Sequence, residues 1–163
     1  MYSFRKIFVF ILIFTVAFIS KPIFAQTAIN KADFFMAMSS SSQKKIDAQL
    51  AVLKKLSGTE KNAFEGALLM RKAGTLTIPA KKLAMFKDGH KKLEAVIAQY
   101  PGNAEYRFLR LMVQENAPRA LGYYKSISQD SKFIKEQYKN LPEVTKNSIS
   151  AYSKQSKSLA GAF

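Results

Sequence analysis

Apolar residues recur at helical spacing, three or four positions apart, along most of the chain. The first such stripe consists of Ile46, Leu50, Leu53 and Leu56. It predicts a helix over 43–57 that Gly58 terminates, and the similar pattern that follows predicts a second helix over 59–73. Because only about two residues would separate these helices, we expect an antiparallel hairpin over 43–73.

Further helical segments are expected after the hairpin. Pro79 fits the first position of a helix over 79–99, and Asn103 is a suitable cap for one over 104–115. Shorter stretches of helix are predicted around Leu121 and Tyr124, over 131–138, and from near Pro142 through Leu159. Sustained period-two alternation is absent from the sequence, so no strand is predicted. The predicted fold class is therefore all-α, with antiparallel helical hairpins in a bundle of about five to seven helices.

The helix predicted over 104–115 is unusual because apolar residues surround nearly its whole circumference. They are Tyr106, Phe108, Leu109, Leu111, Met112 and Val113. A helix that is apolar on all sides has to be covered on all sides. We therefore expect this helix to be the most buried one.

The first residues of the chain have the pattern of a secretory signal peptide. Arg5 and Lys6 precede an apolar run over 7–19 that only Thr15 interrupts, and Ala25 offers a small residue for cleavage. As a helix, this run would rise about 20 Å, which is short of a hydrocarbon core roughly 30 Å thick. We therefore expect cleavage after Ala25, and an uncleaved membrane anchor is the alternative.

The expected organisation follows from this cleavage. It comprises a signal peptide over 1–25, a mobile N-terminal segment with a short helix over 26–42, and a single helical domain over 43–163. Cleavage would leave 138 of the 163 residues, enough to bury a core without disulfides in a chain that has no cysteine. We expect an exported protein, periplasmic or secreted, with no transmembrane segment after cleavage.

Basic residues outnumber acidic ones by 26 to 11, a balance that favours anionic partners. The lysines are spread along the chain in pairs and form no block of five or more, which is typical of a solvated basic surface. The expected partner is a protein or an anionic component of the cell envelope, and no nucleic acid is expected. A cationic protein that adheres to anionic lipid or polysaccharide is one interpretation of this surface.

No pattern typical of a catalytic, metal or cofactor site occurs in the sequence. His90, the only histidine, lies among lysines, which disfavour a bound metal. Two carboxylates could still act as acid and base, so a small carboxylate-dependent hydrolase stays open as an alternative. The carboxylates on predicted helices are Glu65, Glu94, Glu105 and Glu115. We expect no catalytic residue, no metal and no cofactor.

The most informative polar residues are Arg107 and Arg110, two of only five arginines among the 26 basic residues. A guanidinium at a partly buried position usually has a planar partner that accepts two hydrogen bonds. That partner is either a carboxylate of this chain, Glu65 or Glu94, or an external anion. In the second case the candidate contacts to an anion or partner are Arg107, Arg110, Gln114 and Asn116, together with Arg71 or Arg119.

A small residue, two apolar residues and a proline follow one another as Gly89, Leu93, Val96 and Pro101, and Asn103-Ala104-Glu105-Tyr106 comes next. This run, which is shorter than one repeat, is similar to the end of one tetratricopeptide motif and the start of the next. The resemblance implies antiparallel helix pairs that form a scaffold for binding, and it carries over no functional residue. The chain as a whole also resembles small exported helical proteins of bacterial envelopes, in its signal peptide and in 105–111. The first interpretation is therefore an exported, non-enzymatic binding or assembly module of the envelope.

Overall fold

The computed structural model describes residues 28–163, which form seven α-helices and two short 3₁₀ helices, with no strand in that range. The α-helices are α1 (Lys31–Ser39), α2 (Gln43–Lys54), α3 (Thr59–Ala73), α4 (Pro79–Gln99), α5 (Ala104–Asn116), α6 (Ile127–Gln137) and α7 (Glu143–Ser153). The 3₁₀ turns are Arg119–Leu121 and Tyr138–Asn140. The predicted all-α class is therefore confirmed. The signal peptide expected over 1–25 lies outside the described residues.

Several helices begin at the residues that the sequence indicates. The side chains of Ser42 and Asn103 each accept a hydrogen bond from the backbone amide three positions later, at the starts of α2 and α5. Asn30, which was not predicted as a cap, does the same at the start of α1. Pro79 occupies the first turn of α4, where its missing amide hydrogen costs little. None of the helices in residues 28–163 combines the length and the apolar character needed to cross a membrane.

The hairpin predicted over 43–73 is present as α2 and α3. Lys72, near the end of α3, forms an ion pair of 2.6 Å with Asp47, near the start of α2. The two helices therefore run antiparallel. Their link covers residues 55–58, so it is longer than the two residues expected.

α3 and α4 form a second antiparallel pair, whose closest approach occurs at two glycines. A Cβ atom added to Gly66 would lie 2.7 Å from the carbonyl oxygen of Gly89, and one added to Gly89 would lie 2.5 Å from that of Gly66. Met70 lies beside Gly89, and Leu93 lies beside Gly66. Only residues without a side chain allow the two backbones to come so close.

α5 occupies the centre of the bundle, as predicted. Most of its residues are buried, and Phe108, Leu109 and Leu111 have no exposed surface. These side chains contribute to one core that includes residues of every α-helix. Because the helix is covered on nearly all sides, its polar residues also have to find partners inside the protein.

α1 belongs to this same core. Phe34 is completely buried, and its ring packs edge-on against Phe64 of α3 with the ring centroids 4.6 Å apart. Phe35 packs against Phe108 of α5 with centroids 5.6 Å apart. The short helix expected within 26–42 is therefore attached to the rest of the protein by aromatic packing.

The chain after α7 is held by Glu115 of α5. Its Oε1 accepts hydrogen bonds from the Ser156 hydroxyl at 2.9 Å and from the backbone amide and hydroxyl of Ser158 at 3.0 and 2.8 Å. These bonds take the place of further helical ones, so the last helix ends at Ser153 and does not run through Leu159 as expected. Leu159 is instead inserted into the core.

Candidate binding cleft

Both arginines of α5 bind carboxylates of the protein itself. Arg110 donates from Nε and Nη2 to Oδ2 and Oδ1 of Asp130, at 2.7 and 2.8 Å, and from Nη1 to Oε2 of Glu94 at 2.9 Å. Arg107 donates from Nη1 to Oδ1 of Asp130 at 3.1 Å. Burial alone would lower the pKa of Arg110, but its hydrogen bonds and charge interactions with the two carboxylates outweigh burial and raise it. This network connects α4, α5 and α6.

One of the two expected carboxylate partners, Glu94, is part of the network, and Glu65 is not. The main partner, Asp130, was not among the candidates that the sequence suggested. With a helix expected over 131–138, Asp130 falls in the preceding loop. α6 begins at Ile127 instead, so the carboxylate lies within its first turn and is completely buried against α5.

The remaining candidate contacts lie apart from this network. Gln114 is buried, and the side-chain amide of Asn116 donates to the Tyr152 hydroxyl at 3.0 Å and to the Met112 carbonyl at 2.8 Å. The Arg119 guanidinium lies over an aromatic ring at the surface, 4.9 Å from its centroid. Of the four main candidates, only Asn116 lines the cleft described next.

A cleft of about 640 Å³ opens at one end of the bundle. It lies between the C-terminal parts of α3 and α5, the N-terminal half of α4, and the segment 117–121. Its floor is formed by the buried apolar residues Met38, Met70, Phe86, Met112 and Val113. Its rim includes Pro79, Leu83, Pro118 and Leu121. Small-molecule sites have volumes of roughly 300 to 1,000 Å³ and mostly apolar walls, and this cleft has both properties.

Two features of the apolar lining are typical of a binding surface. Three of the six methionines of the chain line the cleft, and the unbranched thioether side chain adapts easily to different shapes. Leu83 and Leu121 at the rim are 41% and 39% exposed. With the methionines they make the opening mostly apolar, as small-molecule sites are.

The charged residues that line the cleft are both basic. Arg71 donates from Nε to the Met38 carbonyl at 3.0 Å and from Nη2 to the Ser40 carbonyl at 2.6 Å. Its Nη1 has no hydrogen-bond partner among residues 28–163. Lys82 on α4 is exposed and forms no ion pair within the same range. Because no aspartate or glutamate lines the cleft, these two cations give it a positive potential.

The four carboxylates considered for hydrolysis are bound elsewhere in the protein. Their partners are Lys61 and Lys92 for Glu65, Arg110 and Tyr123 for Glu94, Lys31 and Thr145 for Glu105, and Ser156 and Ser158 for Glu115. His90 is half-buried, and its ring lies edge-on to the Tyr123 ring at 4.6 Å between centroids. Within residues 28–163, no cluster of three or more histidine and acidic side chains could hold a metal ion.

No protein-family model, curated protein or solved structure matches the chain. Its function is therefore inferred from the sequence and from the chemistry of the cleft.

Proposed function

We propose that the protein is an exported, non-enzymatic binding module of the bacterial envelope, and that an apolar group of its ligand or partner enters the cleft. The observation that carries this proposal is the cleft of about 640 Å³ with a buried apolar floor and an exposed apolar rim. Covering such a surface with a ligand favours binding by roughly 25 cal/mol per Å² of apolar area removed from water.

The distribution of carboxylates supports binding over hydrolysis. The acid and base of a glycosidase have to face one opening, at about 5 to 10 Å from each other. Here Glu65, Glu94, Glu105 and Glu115 each accept hydrogen bonds or ion pairs from neighbouring side chains, and none of them lines the cleft. The lining contains no other acidic side chain.

Export is proposed from the charged start, the short apolar run and the small residue at Ala25. Intact-mass analysis of protein recovered after expression of the full chain tests this part. A chain that begins at Gln26 is the expected result. Recovery of the uncleaved chain in the membrane fraction would contradict it.

The binding function is tested with N-phenyl-1-naphthylamine, an uncharged dye that becomes fluorescent in apolar sites. We expect saturable binding to the protein. Leu83→Gln should weaken dye binding about fivefold, because covering the exposed part of this leucine contributes about 1 kcal/mol to the binding free energy. Val52→Gln is the matched control, since Val52 is a similarly exposed apolar residue of α2 that does not line the cleft. Absence of saturable binding, or an equal loss in both variants, would refute the proposal.

A second candidate function, adhesion to anionic lipid or polysaccharide, is favoured by the excess of basic residues and by the exposed lysines that have no ion pair within residues 28–163. Within residues 28–163 there are 23 basic and 11 acidic residues, a net charge of +12. Most of the acidic residues are engaged by nearby side chains. Exposed lysines without an ion pair in this range include Lys44, Lys45, Lys54, Lys55, Lys87 and Lys91. Adhesion through such lysines should weaken steeply as salt is raised, whereas insertion of an apolar group should not.

A further inference from the structure

We infer that the ligand of the cleft is an anionic amphiphile, in which one long apolar chain lies on the floor and one anionic head group binds Arg71 and Lys82. This inference rests on the proposed binding function of the cleft and specifies the chemistry of its ligand.

Arg71 is positioned by the protein and still has donors to offer. Its Nε and Nη2 are fixed by the carbonyl oxygens of Met38 and Ser40, at 3.0 and 2.6 Å. The remaining nitrogen, Nη1, has no partner among residues 28–163, and the side chain is only half-buried. A guanidinium held in this way loses little conformational entropy when an anion binds, and its N–H groups suit a carboxylate or phosphate oxygen.

Lys82 brings a second cation to the same opening. It lies one helical turn before Phe86 and one turn after Pro79, so these residues share the face of α4 that lines the cleft. No acidic residue lies in the first turn of α4, and none lines the cleft. The positive charge of Arg71 and Lys82 is therefore not compensated inside the opening.

A purely apolar occupant fits this arrangement less well than a charged one. Covering the free donors of Arg71 with hydrocarbon would remove them from water without replacing their hydrogen bonds, which is unfavourable. An anionic head group supplies those bonds, while its chain covers the adaptable thioethers of Met70 and Met112. The cleft thus has one charged part and one apolar part, and an amphiphile matches both.

The test compares dodecanoate with dodecan-1-ol, which has the same chain but no charge, and with hexanoate, which has the same head group but a short chain. Binding is measured by displacement of the uncharged dye, below the concentration at which dodecanoate forms micelles. We expect dodecanoate to bind about tenfold more tightly than dodecan-1-ol, because its carboxylate accepts charge-assisted hydrogen bonds that the neutral alcohol cannot match. Hexanoate should bind more weakly still, because it covers less of the floor.

Variants assign the head group to the two cations. Arg71→Gln should weaken dodecanoate binding about tenfold. Lys82→Met should weaken it about threefold, as expected for an exposed ion pair. The affinity for dodecan-1-ol should be the same in both variants as in the wild type. Lys87→Met is the matched control, because Lys87 is an exposed lysine of the same helix that has no ion pair within residues 28–163 and does not line the cleft. If circular dichroism shows that Arg71→Gln is unfolded, the comparison of Lys82→Met with Lys87→Met decides whether a cation of the cleft binds the head group.

The outcomes separate this inference from the proposed function. Equal affinity for dodecanoate and dodecan-1-ol would overturn the anionic head group and leave the apolar binding function standing. Equal losses in Lys82→Met and Lys87→Met, or binding only to vesicles of anionic phospholipid, would overturn it in favour of adhesion through the basic surface. Absence of saturable dye binding would refute the binding function itself.

Discussion

Replacing Asp130 with alanine should lower the free energy of unfolding by about 3 to 4 kcal/mol, within the range for removing one partner of a buried ion pair. The carboxylate is completely buried and accepts two hydrogen bonds from Arg110 and one from Arg107. Its removal leaves two guanidinium groups with most of their compensating charge gone. Arg110 keeps Glu94 at 2.9 Å, and this remaining contact holds the expected loss below the upper end of the range.

Urea unfolding followed by far-UV circular dichroism measures this loss, and the slope of the transition should stay unchanged if only stability is affected. Glu136→Ala is the control on the same helix, because Glu136 is exposed and has no ion pair within residues 28–163. Its effect should stay within about 0.5 kcal/mol. Arg110→Met, alone and combined with Asp130→Ala, completes a double-mutant cycle whose combined variant removes the two central charges together.

The combined variant should be less destabilised than the sum of its two single variants, by about 2 kcal/mol, because neither charge is then left without its partner. A loss below about 1 kcal/mol for Asp130→Ala would be typical of a surface residue. That result, or simple additivity in the combined variant, would refute the conclusion that Asp130 compensates the arginines of α5.

Three further predictions concern the core, the helix contact and the pH dependence of stability. Leu109→Ala should cost about 2 to 5 kcal/mol in urea unfolding, as for other fully buried leucines. Gly66→Ala should cost at least about 2 kcal/mol, because the new methyl group would meet the backbone of Gly89, whereas Gly102→Ala, with nothing within 4 Å of the new atom, should be nearly neutral. Burial alone would raise the pKa of Glu115, but hydrogen bonds from the C-terminal segment outweigh burial, and the net effect is a pKa below the ordinary value. This contribution is complete above the unfolded pKa of about 4.3 and is lost as the pH falls through the folded value, so Glu115→Gln should reduce the fall in unfolding free energy between pH 7 and pH ~3.

Local signals in the sequence were sufficient for most of the helix boundaries. The caps at Ser42 and Asn103 and the proline at residue 79 act within one helical turn, so they are visible in a short window of sequence. The apolar circumference of the helix over 104–115 likewise predicted its central position. These features depend on neighbouring residues only, and for that reason they could be identified without knowing the fold.

The partner of Arg110 could be predicted only in part, because it depends on where α6 docks. Glu94 and Asp130 lie 16 and 20 positions away from the arginine along the chain. The first lies on a helix with a clear apolar stripe, whereas the second lies near a helix start that was predicted four residues too late. A carboxylate of the chain was one of the two partners expected for an arginine in so apolar a helix. Its identity required the positions of both helices.

The cleft could not be predicted from the sequence, because it depends on how α3 and α4 pack against each other. The distance between two packed helices follows the size of the side chains between them. Gly66 and Gly89 bring α3 and α4 into backbone contact, and Met70, which packs beside Gly89, and Phe86, one turn before Gly89, carry large apolar side chains into the cleft. The pair therefore presents large apolar side chains at its loop end, where α5 and the segment 117–121 provide the opposite wall. Each of these residues reads as ordinary core in the sequence, and only their arrangement at the end of the bundle leaves apolar surface accessible to a ligand.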